Sequence, residues 1–285
     1  MEHTAAQQLP AVLCISGHDP TGGAGLHADI EACQALGAHA LGAITALTIQ
    51  DTHNVHAVRA LDAEWFEAQL RRLDADCHID AIKFGVLGST AQIEIAARWV
   101  RRWQLPMVLD PVLQAGGGAE LASQPVARAL RDELLPLATV VTPNAAEARL
   151  LSGAQRLSDA AVALGARGAA HVLVTGGDEA GTEPRTDWHW HDGAVRALSR
   201  SRWAQSYHGA GCTLAASIAA LLARGLSPTT AIDQASAQVH ALPGSARPRS
   251  SVAVGRVRCA RGRWRHDSNT NPARPLRHHL RCTVP

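Results

Sequence analysis

A short stretch late in the chain, "HGAGC" at residues 208–212, places two glycines and a cysteine just before a strongly helical pattern. Gly209, Ala210 and Gly211 can turn successive backbone N–H groups toward one point, where the start of the helix adds positive potential. Cys212 falls in the first helical turn, where the pKa of a thiol is expected to drop. The stretch predicts an anion hole for a transferring phosphoryl group, with Cys212 as proton acceptor. The alternative is a small buried cysteine at a helix start.

A second glycine-rich stretch, "GHDPTGGAGLHAD" at residues 17–29, follows the first apolar run. It has neither the GxxxxGK[ST] nor the GxGxxG spacing, so it is not a nucleotide loop of either kind. A compact glycine loop at the end of a strand lets the backbone approach a small ligand closely. Asp19 and Asp29 could bind polar groups of that ligand. The alternative is an ordinary tight turn in which Asp19 caps the local backbone.

Apolar, β-branched runs alternate with longer segments of helical periodicity over most of the chain. The strand-like runs lie at 11–16, 41–51, 81–88, 106–113, 138–144 and 171–177. Strands that are apolar on both faces and separated by helices indicate a parallel sheet covered on both sides, and hence an α/β fold. In such sheets, ligands bind beyond the carboxyl ends of the strands. The polar and small residues at these ends therefore predict a site on one rim.

Residues 183–202 depart from this alternation. An alternating run, a D-G turn and a second short run predict a β-hairpin. Trp188 and Trp190 would then point to one face, and His189 and His191 to the other. The two histidines could belong to a metal site, but an exposed face is the preferred interpretation.

Composition narrows the class of protein. Of 285 residues, 46% are hydrophobic and 18% are charged, as in ordinary soluble globular domains. No apolar run approaches the roughly 18 to 20 residues that a membrane span requires, and the first residues do not resemble a signal peptide. We therefore expect a cytoplasmic protein with no membrane partner. The six cysteines are scattered and form no CxxC pair, which argues against a zinc site or a disulfide framework.

Charge is distributed unevenly along the chain. Residues 243–285 contain ten arginines and one acid, a formal charge of +9, whereas residues 1–242 carry −7. An acidic body does not indicate a nucleic-acid-binding protein, so nucleic acid is not an expected partner. We divide the chain into a folded domain at 1–242 and a basic tail at 243–285.

Six blocks of the sequence, taken in order, resemble the ribokinase superfamily and, within it, the hydroxymethylpyrimidine/phosphomethylpyrimidine kinases of thiamine biosynthesis. The blocks are "GHDPTGGAGLHADI", "ITALTIQDT", "DAIKFGVLG", "VLDPV", "TPNAAEA" and "HGAGCTLAASIAA", and the likeness extends from about residue 11 to about residue 240. It implies a ribokinase-like three-layer α/β/α fold with a mainly parallel central sheet. It also implies ATP- and Mg²⁺-dependent phosphorylation of 4-amino-5-hydroxymethyl-2-methylpyrimidine and its monophosphate by a homodimer.

The resemblance assigns roles to residues by position. The pocket for the aminopyrimidine would comprise Gly17, Ala24, Asp29, Gln50, Val86 and Val112. The nucleotide and its phosphates would contact Asn144, Thr175 and Gly177. Magnesium would be held by Asp110 and Glu147, in part through water. Catalysis would rest on the anion hole at Gly209, Ala210 and Gly211, with Cys212 as base. Asn144 and Glu147 also have the spacing of a helix-capping box, which is a structural alternative for that pair.

Two features depart from the family pattern. Many relatives have a lysine facing the nucleotide just before the glycines of "VTGG", where this chain has Thr175; Lys83 is the only lysine and belongs to another block. Phosphate charge would then be met by magnesium, backbone N–H groups or an arginine. From about residue 242, the arginine- and proline-rich ending does not match the family. We interpret this ending as an altered reading frame and expect it to be poorly ordered; a genuine basic tail that binds nucleic acid or an acidic partner is the alternative.

These departures leave other functions open. A pyridoxal kinase, whose substrate also carries a hydroxymethyl group, is the nearest alternative enzyme. A non-catalytic relative that binds the pyrimidine without turnover would fit the missing lysine and the unusual ending. A nucleic-acid-binding protein rests on the tail alone and is the weakest alternative.

Overall fold

The computed structural model describes residues 9–51, 54–114, 121–177, 185–200 and 208–241. All of these residues belong to one compact unit, Met1–Val254. The tail at 243–285, with the expectations stated for it, lies outside the described residues. The domain boundary at 242 stays a prediction.

Nine strands of the described chain form one sheet. In chain order they are β1 (Ala11–His18), β2 (His39–Gln50), β3 (Val55–Ala60), β4 (Ala81–Phe84), β5 (Met107–Leu109), β6 (Val140–Val141), β7 (His171–Val174), β8 (Arg185–His191) and β9 (Ala194–Arg200). Their order across the sheet is β3-β2-β1-β4-β5-β6-β7-β8-β9. The strands from β2 to β7 in this order are parallel, whereas β3, β8 and β9 run antiparallel to their neighbours. The sheet is therefore mainly parallel, with antiparallel strands at both edges.

Helices connect the parallel strands and cover the sheet. They are α1 (Gly25–Ala35), α2 (Ala63–Asp76), α3 (Thr90–Trp103), α4 (Gln124–Ala129), α5 (Ala145–Ser152), α6 (Leu157–Gly165), α7 (Ala210–Ala223) and α8 (Pro228–Ala241). A π-helical turn (Leu130–Leu134) and a 3₁₀ turn (Leu135–Leu137) continue α4. None of the helices in the described part of the chain is long and apolar enough to cross a membrane.

Alternating side chains along the strands divide the core into two halves. Leu13 and Ile15 of β1 pack on one face with residues of α2 to α6. Val12 and Cys14 of the same strand pack on the opposite face with residues of α1, α7 and α8. Because both faces of the central strands are apolar and covered, the architecture is a three-layer α/β/α sandwich, and the predicted fold class is confirmed.

The predicted hairpin is formed by β8 and β9. Its turn residues Asp192 and Gly193 have φ values of 48° and 77°. Positive φ at both positions is what a two-residue type I′ turn requires, which explains the D-G pair. Trp188 and Trp190 pack against the core on the side of α2 to α6, so the tryptophan face of β8 is apolar and covered.

The histidine face of β8 differs from the prediction. His189 is buried rather than exposed, and its Nε2 lies 3.1 Å from Nδ1 of the buried His171 on β7. Burial lowers the pKa of His171 and of His189 to about 4, with help from neighbouring positive groups. Only His191, at the end of the strand, is exposed as expected. Among the described residues, no group of three or more His, Cys, Asp or Glu side chains is arranged to hold a metal ion.

Candidate active site

The two glycine-rich stretches lie against each other at the carboxyl rim of the sheet. The first connects β1 to α1, and the second leads into α7. Gly209 has a φ of +81°, and a side chain at this position would collide with the backbone carbonyl of Gly23. Glycine is required here both for the left-handed backbone and for the close approach. The stretches assigned to the substrate and to the phosphoryl group are therefore neighbours in space.

Asp19 organises the first of these stretches. Its carboxylate accepts hydrogen bonds from the backbone N–H groups of Thr21 at 2.8 Å and Ala24 at 2.9 Å. The same buried carboxylate lies 2.8 Å from Nε2 of His208. Burial opposes ionisation, but hydrogen bonds from His208 and Thr21 hold the pKa of Asp19 below its usual value. Asp19 therefore caps the local backbone, as the alternative interpretation of this stretch predicted. It also contacts the second glycine stretch through His208.

His208 is a site residue that sequence reasoning did not assign. It stands directly before the glycines of "HGAGC", and its ring is only partly exposed. Besides Asp19, its Nε2 lies 3.4 Å from Nε2 of Gln50, at the end of β2. A side chain on Gly23 would meet His208 Cδ2 at 2.7 Å, so the ring packs on the glycine loop. His208 therefore contacts the first glycine stretch from the start of the second, and it lies beside the predicted ring-binding glutamine.

Three of the other predicted pocket residues lie around the first glycine stretch. A side chain on Gly17 would meet Cγ1 of Val86 at 2.6 Å, so these two residues are in close contact. Ala24 precedes α1, and its Cα lies 3.2 Å from where a side chain on Gly209 would begin. Val112 lies just beyond β5, with its N–H donating to the carbonyl of Asp110. Their contact with a pyrimidine stays a prediction.

Asp29 occupies a different environment from the one expected for a ligand-binding carboxylate. It is fully buried, and its two oxygens accept from Nζ of the equally buried Lys83 at 2.8 and 2.9 Å. Burial opposes the charge of Lys83, but Asp29 and its other anionic neighbours outweigh that effect and raise the pKa of the lysine. Because Asp29 is fully buried, direct contact with a substrate would require the packing around this ion pair to open. The only lysine of the chain, left without a role by the sequence, is the partner of Asp29.

Cys212 lies in the first turn of α7, as predicted, but its acidity is opposite to the prediction. Burial raises the pKa of the thiol to about 12; Lys83 lowers it, while Asp110 and Asp29 raise it further. The expectation of a lowered pKa is therefore wrong, because loss of solvation and two carboxylates outweigh the field of the helix N-terminus. At neutral pH this residue is therefore a thiol, and its interaction with Asp110 slightly opposes the rise in the pKa of that carboxyl group.

Asp110 follows β5 and is buried among these charges. Burial raises the pKa of its carboxyl group to about 6, although the positive charge of Lys83 opposes the rise. The side chains of Asp29, Lys83, Asp110 and Cys212 thus form one cluster of interacting groups, which we call the buried charge cluster, at the start of α7. A carboxyl group that titrates close to neutrality is the kind found in active sites.

Glu147 and Asn144 form the capping box of α5. The Asn144 side chain accepts from the N–H of Glu147 at 2.9 Å, and the Glu147 carboxylate accepts from the N–H of Asn144 at 3.0 Å. The other Glu147 oxygen accepts from the N–H of Leu113 at 3.2 Å. The structural alternative for this pair is confirmed, and the metal role of Glu147 stays a prediction. One or two carboxylates acting partly through water still suit magnesium, which keeps several of its waters and takes phosphate oxygens as ligands.

The residues predicted to contact the nucleotide lie at the ends of two neighbouring strands. Asn144 and Thr175 form a parallel bridge just beyond β6 and β7. Gly177 follows two residues later and lies beside Arg185, the first residue of β8. The structure brings these residues together on the same rim as the glycine stretches. Arg185 was not found from the sequence, because its position depends on the antiparallel pairing of β8 with β7.

The three-layer sandwich, with two glycine-rich stretches meeting at the carboxyl rim of its sheet, is that of the ribokinase-like small-molecule kinases, which are transferases. The family model described as phosphomethylpyrimidine kinase matches residues 19–250, and the chain belongs to that family.

Three known proteins illustrate the similarity. The chain is 39% identical over 250 residues to a hydroxymethylpyrimidine/phosphomethylpyrimidine kinase of Rhizobium meliloti (strain 1021), covering 86% of this chain and 94% of that protein. It is 34% identical over 236 residues to the chloroplastic thiamine biosynthetic bifunctional enzyme TH1 of Arabidopsis thaliana, covering 80% of this chain and 45% of the longer protein. Its fold is similar to that of an ADP complex of Bacillus subtilis pyridoxal kinase, with a TM-score of 0.77 and 33% identity, covering 85% of this chain and 94% of that one.

Proposed function

We propose that this protein transfers the γ-phosphoryl group of ATP to the hydroxymethyl group of 4-amino-5-hydroxymethyl-2-methylpyrimidine, and then phosphorylates the resulting monophosphate, in thiamine biosynthesis. The observation that carries the proposal is the similarity to the Rhizobium meliloti kinase along nearly its whole length. The convergence of both glycine stretches on one rim supports it, because the substrate hydroxyl and the moving phosphoryl group must meet.

In this mechanism the backbone N–H groups from Gly209 to Cys212 stabilise charge on the transferring phosphoryl group. Cys212 takes the proton of the attacking hydroxyl. Because its thiol is protonated at neutral pH, Cys212 can accept that proton only as its own proton moves to a neighbouring carboxylate, Asp29 or Asp110. His208, fixed by Asp19, would pack beside Gln50 and keep it at the pyrimidine ring, whose polar edge matches an amide that both donates and accepts.

We assign nucleotide binding to the residues just beyond the ends of β6 and β7. Asn144, Thr175 and Gly177 would line the side occupied by ATP. Asp110, with Glu147 through water, would hold magnesium, which neutralises phosphate charge when bound. Homodimer formation and a cytoplasmic location are further parts of the proposal, and light scattering of the purified protein tests the first.

The proposed function is tested by the products of the reaction. We expect mass spectrometry to find both the monophosphate and the diphosphate of the pyrimidine after incubation with MgATP. Finding neither, from folded protein that binds the pyrimidine, would favour the non-catalytic alternative.

A second candidate is pyridoxal kinase, which is favoured by the similarity to the Bacillus subtilis structure. Gln50 distinguishes the two. If the pyrimidine is the substrate, Gln50→Leu should lower kcat/KM for the pyrimidine by about 10- to 100-fold, as expected when a polar ring loses its hydrogen-bond partner. The loss for pyridoxal should be smaller. An equal loss for both substrates would contradict the assigned role of Gln50.

A further inference from the structure

Arg185 lies at the carboxyl rim although it begins a strand. β8 runs antiparallel to β7, and Val174, the last residue of β7, pairs with Trp188. The first residue of β8 is therefore carried past the end of β7, to the edge where the parallel strands finish. The guanidinium group reaches back over Gly177: a side chain on this glycine would begin 3.3 Å from Nη1 and 3.5 Å from Cζ of Arg185.

The guanidinium group is held in a fixed orientation. Its Nε and Nη2 each donate to a different oxygen of Asp187, both at 3.0 Å. Asp187 is buried, and its Oδ1 also accepts from the backbone N–H of Gly176 at 2.8 Å. The arginine is thus tied, through one carboxylate, to the loop that follows β7. This orientation places Nη1 of Arg185 beside Gly177.

A nucleotide bound at this rim would need a positively charged group to contact its phosphates. A nucleoside triphosphate carries several negative charges, but Thr175 at the end of β7 is neutral. Lys83 is fully buried, whereas the Arg185 side chain is 15% exposed. Asp110 and Glu147, on the adjoining strand ends, are acidic and add no positive charge. Arginine remains charged at any physiological pH, and its planar fork matches the oxygens of a phosphate group.

We propose that Arg185, oriented by Asp187, binds the phosphate groups of the nucleotide and supplies the positive charge that Thr175 lacks. This inference rests on the proposed function, since it takes the nucleotide to lie over the ends of β6 and β7. It assigns Asp187 as the residue that positions Arg185. It also predicts that a positively charged side chain at position 175 can replace Arg185 in binding the phosphate groups.

Binding of ADP and of adenosine, measured by calorimetry on the full chain, separates a phosphate contact from a general effect. For Arg185→Gln we expect the Kd for ADP to rise about 10- to 100-fold, the value of one charge-assisted hydrogen bond, with the Kd for adenosine changed less than about twofold. Arg185→Lys should weaken ADP binding less. The double variant Thr175→Lys/Arg185→Gln should recover most of the lost affinity.

Arg196 provides a matched control. Like Arg185, it forms a bidentate ion pair with a carboxylate, here Asp233 of α8. Arg196 lies within β9 rather than at the start of a strand. Arg196→Gln should leave both dissociation constants unchanged. If Arg185→Gln leaves ADP binding unchanged, or weakens ADP and adenosine equally in protein of unaltered Tm, the inference is overturned. If the unmodified protein binds neither ligand, the proposed function fails as well.

Discussion

Replacing Lys83 by methionine tests the buried charge cluster at the start of α7. The lysine and Asp29 are each 0% exposed, and their charged groups lie 2.8 Å apart. Lys83→Met removes one charge and leaves the Asp29 carboxylate without its cation in a site that water does not reach. Removing one partner of a buried ion pair costs about 3–5 kcal/mol. That is a large part of the total stability of about 5–15 kcal/mol that is typical of a folded domain.

Urea unfolding at pH 7, followed by circular dichroism, measures this loss. Asp29→Asn should also destabilise the protein, because it leaves Lys83 buried without its main counter-charge. The double variant should be less destabilised than the sum of the two single variants by about 1–3 kcal/mol, since it leaves neither charge alone. As a control, Arg98→Met removes an ion pair to Glu67 whose arginine side chain is 62% exposed. That change should cost less than about 1 kcal/mol.

The reasoning is refuted if Lys83→Met unfolds at the same urea concentration as the unmodified protein. Strict additivity in the double variant would refute it too, because the two side chains would then not be acting on each other.

Two further predictions concern the anion hole. Gly209→Ala should lower kcat by about 100-fold or more, because the added side chain would collide with the backbone carbonyl of Gly23 and shift the backbone donors. A kcat within threefold of that of the unmodified enzyme would contradict this. The rate at which iodoacetamide alkylates Cys212 can be followed by peptide mass spectrometry. The rate should be low at pH 7 and rise about tenfold per pH unit up to pH 10. The reason is that the pKa of the thiol is raised to about 12, so the reactive thiolate forms only as the pH increases. A rate that levels off above about pH 9.5 would instead show an ordinary thiol, whose pKa is about 8.5. Cys212→Ala should lose turnover by about 10²- to 10⁴-fold with near-normal ADP binding, as expected for a proton acceptor.

Local patterns in the sequence predicted most of the fold. Strand–helix alternation indicated the covered parallel sheet, the Asp192–Gly193 pair indicated the hairpin turn, and the spacing of Asn144 and Glu147 indicated a capping box that the structure contains. Each of these features depends on residues a few positions apart. β3 was not predicted, because an edge strand that is mostly exposed lacks the continuous apolar pattern of its neighbours.

The electrostatics of the site could not be predicted in the same way. Asp29 and Lys83 are 54 residues apart, and Asp19 and His208 are 189 apart, so only the fold brings each pair into contact. The position of Cys212 at a helix start was correct, but its acidity is decided by burial and by carboxylates from other elements. His189 was expected on an exposed face for the same reason: the alternation assigns a residue to a face, and only packing decides whether that face is covered.

The most direct test of the central claim is MgATP-dependent release of ADP by the purified full-length chain, with the hydroxymethylpyrimidine and pyridoxal assayed in parallel. We predict turnover of both the pyrimidine and its monophosphate, with a kcat/KM for the pyrimidine that exceeds the value for pyridoxal. A preference for pyridoxal would reassign the substrate. No ADP release with any of these substrates, from folded protein that binds ADP, would contradict the assignment as a pyrimidine kinase.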